Sequence, residues 1–290
     1  MTDTMAERRG GARGVLITFE GGDGAGKSTQ IRFLARLLEE RGRAVLCLRE
    51  PGGTAVGEAL RHVVLDPAHG AMSDRAELLI YEAARAQIVD EVIKPALDRG
   101  TVVLCDRFFD STVAYQGAGR GLDGAFIEAA NRFACDGLAP DATILLVAPE
   151  EAVRSRMGRR SDADRLERAG AAFHRRVAAG FAALAAAEPE RVRTVASHQQ
   201  RIDTFRAVLA ALASVLPEAG EALDADEAAL VRVVDAVMVE KRRERAAEQR
   251  AAEQRKKGRG RRRGGKRRRG GAAKKGAEGH PRAEKGGNRG

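Results

Sequence analysis

The sequence has few of the residues that build disulfide-rich, zinc-binding or membrane-spanning proteins. Its 290 residues include three cysteines, two tyrosines and no tryptophan. Cys47, Cys105 and Cys135 lie far apart without C-x-x-C spacing, which argues against a disulfide framework and a zinc site and predicts buried, reduced thiols. No run of about 18 uncharged apolar residues occurs, and the N-terminal MTDTMAERRGG lacks the apolar stretch of a secretory signal. We therefore expect a cytoplasmic protein without a membrane segment.

Basic residues outnumber acidic ones, but only because of the C-terminal end. The formal net charge is +10. Residues 241–290 hold 21 Lys and Arg against 5 Asp and Glu, a net charge of +16, which leaves −6 for the rest of the chain. The charge that attracts polyanions is therefore confined to the tail, and no basic groove is indicated in the remaining sequence.

Short β-branched and aliphatic runs alternate with longer helical patterns along residues 14–216. This alternation predicts an α/β domain with a five-stranded parallel sheet that carries helices on both faces. Strands are expected at 14–20, 44–48, 101–105, 143–147 and 192–196. Helices are expected at 28–40, 74–97, 110–135, 169–187 and 205–216.

The chain outside this domain is divided by composition. Residues 1–13 are polar and predict a flexible N-terminus, and Pro217 begins a linker over 217–223. Asp224 and Glu227 have capping-box spacing, which predicts an accessory amphipathic helix over 224–257 that becomes basic along its length. Residues 258–290 have too few apolar side chains to offset the entropy of ordering, so we expect a disordered Arg-, Gly- and Lys-rich tail.

A P-loop pattern, GGDGAGKS, lies between the first strand and the first helix. Glycines let the backbone N–H groups turn towards phosphate, Lys27 would reach the β- and γ-phosphates, and the Ser28 hydroxyl would join a Mg²⁺ shell. The sequence therefore predicts an ATP site with Mg²⁺. Its residues are Gly21, Gly22, Asp23, Gly24, Ala25, Gly26, Lys27, Ser28 and Thr29.

A second charged pair, Asp106 and Arg107, follows the third predicted strand. Ligands of parallel sheets gather at the carboxyl ends of the strands, so Asp106 is expected to act on Mg²⁺ through water and Arg107 to hold a phosphate. A structural ion pair at the strand end is the alternative.

Five segments, in this order and at these spacings, resemble the thymidylate kinase family of P-loop nucleoside monophosphate kinases. They are FEGGDGAGKST at 19–29, REPGGT at 49–54, YEAARAQ at 81–87, CDRFFDSTVAYQGAGRG at 105–121 and DRLE at 164–167. The resemblance covers roughly residues 14–213.

The resemblance implies an acceptor site for dTMP. Tyr81, where the family usually has Phe, would stack on thymine, and Arg85 would hydrogen-bond the carbonyl edge of the base. Thr112, Tyr115 and Gln116 would read the base and sugar, with Tyr115 helping to exclude a ribose 2′-hydroxyl.

The resemblance also implies roles around the transferred phosphoryl group. Arg107 would grip the acceptor phosphate, Asp23 would contact the sugar hydroxyl or Mg²⁺, and Glu50 would belong to the monophosphate-side loop. The P-loop has Gly24 where one type of the family has Arg, so a lid arginine must neutralise the developing charge. Arg154 and Arg159 are the candidates, and a solvated helix face is the alternative for each.

The implied reaction is ATP + dTMP giving ADP + dTDP, in dTTP biosynthesis, by a homodimer. The first alternative is another nucleotide or nucleoside kinase of the same fold, and a nucleoside kinase would need a general base. The second is a nucleic-acid-binding P-loop ATPase that uses the basic tail. In either case the tail is expected to bind nucleic acid or acidic partners.

Overall fold

Five parallel strands form a single sheet at the centre of the described chain. The computed structural model describes residues 13–149, 164–197 and 200–268, with side chains described as far as Ala251. The strands are β1 Leu16–Glu20, β2 Val45–Arg49, β3 Val102–Asp106, β4 Ala142–Val147 and β5 Val192–Ala196. Their order is β2-β3-β1-β4-β5, and every neighbouring pair is parallel. The predicted fold class is confirmed.

Helices cover both faces of this sheet, as the alternating sequence pattern predicts. They are α1 Lys27–Glu40, α2 Ala55–Leu65, α3 Asp74–Ile88, α4 Lys94–Asp98, α5 Phe109–Thr112, α6 Gly124–Ala134, α7 Ala171–Ala187, α8 Arg201–Leu212, α9 Pro217–Asp224 and α10 Glu227–Arg268. Two π-helical segments, Val89–Ile93 and Val113–Gly119, continue α3 and α5, and a 3₁₀ turn spans Pro67–His69.

The two central strands bring the predicted phosphate-binding segments to one edge of the sheet. Phe19 of β1 lies opposite Asp106 of β3, and β1 is buried along its whole length. The P-loop leaves β1 directly after Glu20, and Arg107 leaves β3 directly after Asp106. Both segments therefore emerge side by side at the carboxyl ends of the strands.

Two buried apolar clusters fix the helices that flank this edge. The first joins β1 and β3 to α3 through Leu16, Val103 and Ile88, and it also contains Phe108. The second packs Tyr115 against the aromatic rings of α7, with centroid distances of 6.1 Å to both Phe173 and Phe181. Edge-to-face aromatic packing of this kind fixes ring orientation as well as burying area.

Helix α2 is absent from the sequence expectations, and the helix expected at 110–135 is interrupted. Thr54 caps α2 by accepting a hydrogen bond from the Gly57 N–H at 2.9 Å, but the adjacent glycines of REPGGT obscure this start. The interruption before α6 lies at residues 120–123, directly after the π-helical segment Val113–Gly119. Asp123 then starts α6 by accepting from the Phe126 N–H at 3.2 Å.

The burial of the cysteines differs from the sequence expectation at one position. Cys105 and Cys135 are buried, whereas Cys47 is exposed. Cys47 lies on β2, which is an edge strand of the sheet, so part of its surface faces solvent.

The linker expected at 217–223 is instead helix α9. Proline is favoured in the first turn of a helix because its missing N–H has no partner there, and Ala219 and Ala222 of α9 are buried. Asp224 is consequently the last residue of α9 and does not cap the next helix. Asp226 does so, accepting from the Ala228 N–H at 3.2 Å.

Helix α10 confirms the accessory amphipathic helix, and it extends further than the sequence suggests. Its buried positions are Leu230, Val233, Val234 and Val237. The backbone stays helical to Arg268 although disorder is expected from residue 258. Extending an existing helix needs no new nucleation, and arginine is a good helix former. The rest of the predicted tail, 269–290, and the predicted N-terminal segment up to residue 12 lie outside the described residues.

The chain divides into two compact units, one as far as Val237 and one from Met238 onwards. The boundary predicted at residue 216 therefore falls within the first unit. Among the helices of the described chain, none is both long and apolar enough to span a membrane.

Candidate active site

The P-loop has the backbone conformation that its glycines predict. Gly21, Gly24 and Gly26 have φ angles of 123°, 76° and 111°, in the region that side chains disfavour. Gly21 also passes so close to β4 that a Cβ atom there would lie 2.2 Å from the Leu146 carbonyl oxygen. The loop then enters α1 at Lys27, which directs the positive end of the helix at the loop.

The Lys27 side chain is held inside the loop. Its Nζ donates to the carbonyl oxygens of Gly21 at 3.0 Å and Gly22 at 3.1 Å. The pKa of Lys27 is lowered to about 8, chiefly by burial and then by the nearby Arg107, whereas Asp106, Asp23 and Glu20 act in the opposite direction. Phosphate oxygens bound in the loop would supply the negative charge that favours the protonated form of Lys27.

Ser28 and Asp106, the predicted metal ligands, lie together. The Ser28 hydroxyl donates to the Asp106 carboxylate at 2.6 Å, across the β1–β3 edge. A hydroxyl and a carboxylate oxygen at this separation suit Mg²⁺, which takes oxygen ligands and keeps several waters. The described residues contain no group of three or more His, Cys, Asp or Glu side chains arranged for a metal.

Arg107 occupies a strained position at the centre of the site. Its φ angle is 73°, which is uncommon for a residue with a side chain, and its N–H donates to the Phe19 carbonyl at 3.0 Å. Its guanidinium binds Asp23 of the P-loop at 2.7 Å and lies 5.1 Å from the centre of the Tyr115 ring. Arg107 therefore links the donor loop to the segment that follows β3.

Glu20 supports this strained turn and was not singled out by the sequence. Its carboxylate is fully buried and accepts hydrogen bonds from the N–H groups of Phe108, at 2.7 Å, and Ser111, at 3.2 Å, and from the Ser111 hydroxyl at 2.6 Å. Burial raises the pKa of Glu20 to about 7, although Arg107 opposes the shift. The sequence did offer one indication of a functional role, because Glu20 is a charged residue at the end of a buried strand and directly precedes the P-loop.

Arg85 lies in a buried network beside the loop. Only 1% of its surface is exposed. Nε donates to Glu50 at 2.9 Å, and Nη1 donates to Glu82 at 2.7 Å and to Thr112 and Asn131 at 3.0 Å. Burial raises the pKa of Glu50 to about 7, whereas Arg85 opposes the shift. Glu50, Arg85 and Thr112 are thus brought together as a unit, with Glu50 contacting Arg85.

Tyr81 and Gln116 lie on the same two facing elements. Tyr81 is half-buried on α3, one turn before Arg85. Gln116 donates its Nε2 to Glu77 of α3 at 2.8 Å, and Tyr115 is buried next to it. The residues predicted to read the base and sugar thus lie on α3 and on the segment 109–119, which contact each other through Arg85–Thr112 and Glu77–Gln116. Arg154 and Arg159 lie outside the described residues.

Comparison with known proteins agrees with this geometry. The family model described as thymidylate kinase matches residues 19–207. A thymidylate kinase of Clavibacter sepedonicus is 50% identical over 208 residues, which cover 71% of this chain and 98% of the relative. One of Pelotomaculum thermopropionicum is 48% identical over 214 residues, which cover 73% and 96%.

The chain belongs to the thymidylate kinase family. The crystal structure of thymidylate kinase from Ehrlichia chaffeensis aligns with a TM-score of 0.56 and 31% identity, covering 70% of this chain and all of that one. The relatives are thus matched along nearly their whole length, while more than a quarter of this chain has no counterpart in them. The thymidylate kinase match ends at residue 207, before α9 and α10.

Arg49 and Arg61 add charge to the site of this thymidylate kinase family member, and the sequence had not identified either as functional. Arg61 of α2 donates to the Pro51 carbonyl at 2.8 Å, and Arg49 donates to the same oxygen at 3.2 Å. Burial lowers the pKa of Arg61, the nearby Arg49 lowers it further, and Glu58, Tyr81 and Asp164 oppose the shift. Two guanidinium groups sharing one acceptor near Tyr81 suit an anion. Had α2 been predicted from the sequence, Arg61 would have been a candidate, because it lies on the helix that directly follows REPGGT.

Proposed function

We propose that this chain transfers the γ-phosphoryl group of ATP to dTMP, giving ADP and dTDP for dTTP synthesis. The observation that carries the proposal is the contact between Asp23 of the P-loop and Arg107, which directly follows β3. This contact supports a role for Arg107 as a phosphate-binding residue between the donor and the acceptor. The membership in the thymidylate kinase family supports the choice of dTMP.

The chemistry requires positioning and charge neutralisation. An acceptor phosphate oxygen is already ionised at neutral pH, so no side chain has to remove a proton. Two anions must instead be brought together, and Lys27 and Arg107 would supply the positive charge that this requires. Ser28 and Asp106 would hold Mg²⁺, which when bound neutralises charge on the donor phosphates. Arg154 or Arg159 would complete the neutralisation from the lid.

The acceptor base is proposed to lie against Tyr81, between α3 and the segment 109–119. Arg85 would donate to a carbonyl of thymine through Nη2. This nitrogen carries two N–H bonds and has one partner within the described residues, Glu50 at 2.9 Å. Thr112 and Gln116 would read the rest of the base, and Tyr115 would lie under the sugar. A tyrosine at position 81 keeps the stacking surface and adds a hydroxyl that needs a partner.

Three further proposals concern self-association, nucleic-acid binding and location. The exposed apolar side chains Leu79 of α3 and Phe126 and Phe133 of α6 suit a homodimer contact, with Phe133 87% exposed. The basic extension from Lys241 is proposed to bind nucleic acid through its phosphates. An ATP- and nucleotide-consuming reaction is proposed to take place in the cytoplasm.

The proposed reaction is tested by product analysis. With ATP, Mg²⁺ and dTMP, we expect ADP and dTDP in equal amounts and little ADP when dTMP is omitted. ADP formation that is independent of dTMP and stimulated by polynucleotide would favour the P-loop ATPase instead. Phosphorylation of thymidine without phosphorylation of dTMP would favour the nucleoside kinase.

A further inference from the structure

Glu77 is a buried charge that the proposed reaction does not use directly. It lies in the first turn of α3 and is fully buried. Its carboxylate accepts from Gln116, from Arg120 at 2.9 Å and from Arg165 of the DRLE segment. An ionised carboxylate is rarely buried without such partners. Three donors from two distant parts of the chain therefore converge on this residue.

The Glu77 carboxylate remains ionised despite its burial. Burial would raise the pKa of Glu77, but the hydrogen bonds from Arg120, Gln116 and Arg165 outweigh it and lower the pKa. An ionised carboxylate accepts hydrogen bonds and donates none. The atom of Gln116 that faces Glu77 must consequently be the amide nitrogen, and the carbonyl oxygen Oε1 is turned away from it.

The two elements that carry these residues face each other in register. On α3, Glu77, Tyr81 and Arg85 are spaced four residues apart and share one face. Arg85 contacts Thr112 at 3.0 Å, and Glu77 contacts Gln116, about one turn further along the opposite segment, at 2.8 Å. Tyr81 lies between these two contacts. A base beside Tyr81 therefore has Arg85 at one end and the Gln116 amide at the other.

The orientation of that amide distinguishes the pyrimidines. Thymine and uracil carry an N–H at ring position 3, whereas cytosine carries an unprotonated nitrogen that accepts hydrogen bonds. A carbonyl oxygen can accept from the former, but it repels the lone pair of the latter. A polar group fixed in a buried site rejects the mismatched base strongly because one partner is left unpaired.

We propose that Glu77 is a positioning residue that fixes the Gln116 amide with its carbonyl oxygen towards the base, and so selects thymine over cytosine. This inference rests on the proposed dTMP site. The hydrogen bond to Glu77 is the one that the Gln116 side chain makes within the described residues, so its orientation depends on this carboxylate. Glu77 itself need not contact the substrate.

The test is the ratio of kcat/KM for dTMP to that for dCMP. In Glu77→Gln the new amide can donate as well as accept, so the Gln116 amide is free to turn over. We expect the ratio to fall about tenfold, the order of effect that one misplaced hydrogen bond produces. If Glu77→Gln does not fold, Glu77→Asp is the second variant. It keeps a negative charge for Arg120 and Arg165, but its shorter side chain withdraws the carboxylate from Gln116, so it should lower the ratio as well.

Arg120→Lys is the matched control, because it disturbs the same carboxylate without touching Gln116. Its ratio should stay within about twofold of the wild-type ratio, well below the effect of one hydrogen bond. In a Gln116→Leu background, Glu77→Asp should cause no further change, since the amide on which Glu77 acts is gone.

Three outcomes separate the claims. A wild-type protein that does not phosphorylate dTMP refutes the proposed function. An active wild type whose ratio is unchanged in the folded Glu77 variants refutes this inference alone. An equal fall in Arg120→Lys would also overturn it, because the effect would then reflect the stability of the cluster.

Discussion

At the scale of single residues, the site depends on ionisable side chains that are buried before any ligand binds. Glu20 has three hydrogen-bond donors around it, and these hold the turn in which Arg107 takes a left-handed backbone conformation. Such strain persists only where neighbouring contacts enforce it. Glu20 thereby orients the arginine that we place between the two substrates.

The raised pKa of Glu20 predicts a pH-dependent stability. Burial raises this pKa from 4.5 to about 7. Between these values the folded protein keeps a proton that the unfolded chain has lost, so the free energy of unfolding falls as pH rises. Glu20→Gln cannot lose that proton. Urea unfolding at pH 5 and pH 8 should show the stability of wild type falling relative to that of Glu20→Gln.

Glu50, whose pKa is also raised by burial, is present in both proteins and cancels in this comparison. A constant difference in stability across the pH range would show that Glu20 is already ionised at pH 5. The contribution assigned to its burial would then be wrong.

The polar partners at this scale could be predicted only in part. Lys27, Ser28, Asp106 and Arg107 follow from short patterns beside strands, because the chemistry of phosphate binding fixes their spacing. Glu77 does not, since its role depends on Arg120 and Arg165, which lie 43 and 88 residues away in sequence. A buried charge is recognisable only when the fold brings its partners to it.

At the scale of elements, the strands were predictable and the helix boundaries less so. Each strand is a short aliphatic run that ends near glycine or a charged residue, and all five lie within a few residues of their predicted positions. The two π-helical segments depart from the 3.6-residue period on which helix prediction depends. The segment Val113–Gly119 is one of them, and it carries Tyr115 and Gln116.

Helix α6 provides a prediction about assembly. Phe126 and Phe133 lie seven residues apart on one face and are more than half exposed, which is costly for a monomer in water. We expect a dimer in sedimentation velocity and a shift to monomer in Phe133→Glu. Phe133 is on the surface, so this variant should keep its fold.

Arg132→Glu, which reverses an exposed charge next to Phe133, is the control for charge alone and should disturb the dimer less. A wild-type monomer at micromolar concentration would contradict the assignment of this face. So would a Phe133→Glu protein that remains fully dimeric.

At the scale of the whole molecule, a catalytic unit is joined to an extension that lies outside the match to the relatives described above. The thymidylate kinase match ends at residue 207, and relatives matched over 96% or more of their own length cover no more than 73% of this chain. Residues 241–290 of this extension carry the positive charge, a net +16, whereas residues 1–240 have a net charge of −6. Composition alone predicted this division, because the change in charge is abrupt.

The extension is expected to bind polyanions independently of catalysis. A chain ending at Glu240 should lose affinity for single-stranded polynucleotide at low salt, and the affinity of the full chain should fall steeply as salt rises. The shortened chain should phosphorylate dTMP at an unchanged rate. Retained polynucleotide affinity in the shortened chain would refute the role of the extension, and lost dTMP phosphorylation would refute its separation from the catalytic unit.

We propose above all that dTMP binds between α3 and the segment 109–119, beside the P-loop. The decisive measurement is kcat/KM with ATP for dTMP, dUMP, dCMP, dGMP and thymidine, measured as ADP release. We expect dTMP to be the best acceptor and thymidine, which lacks the phosphate that Arg107 would hold, to be poor. Equal rates for all the monophosphates, or no activity with dTMP, would contradict it.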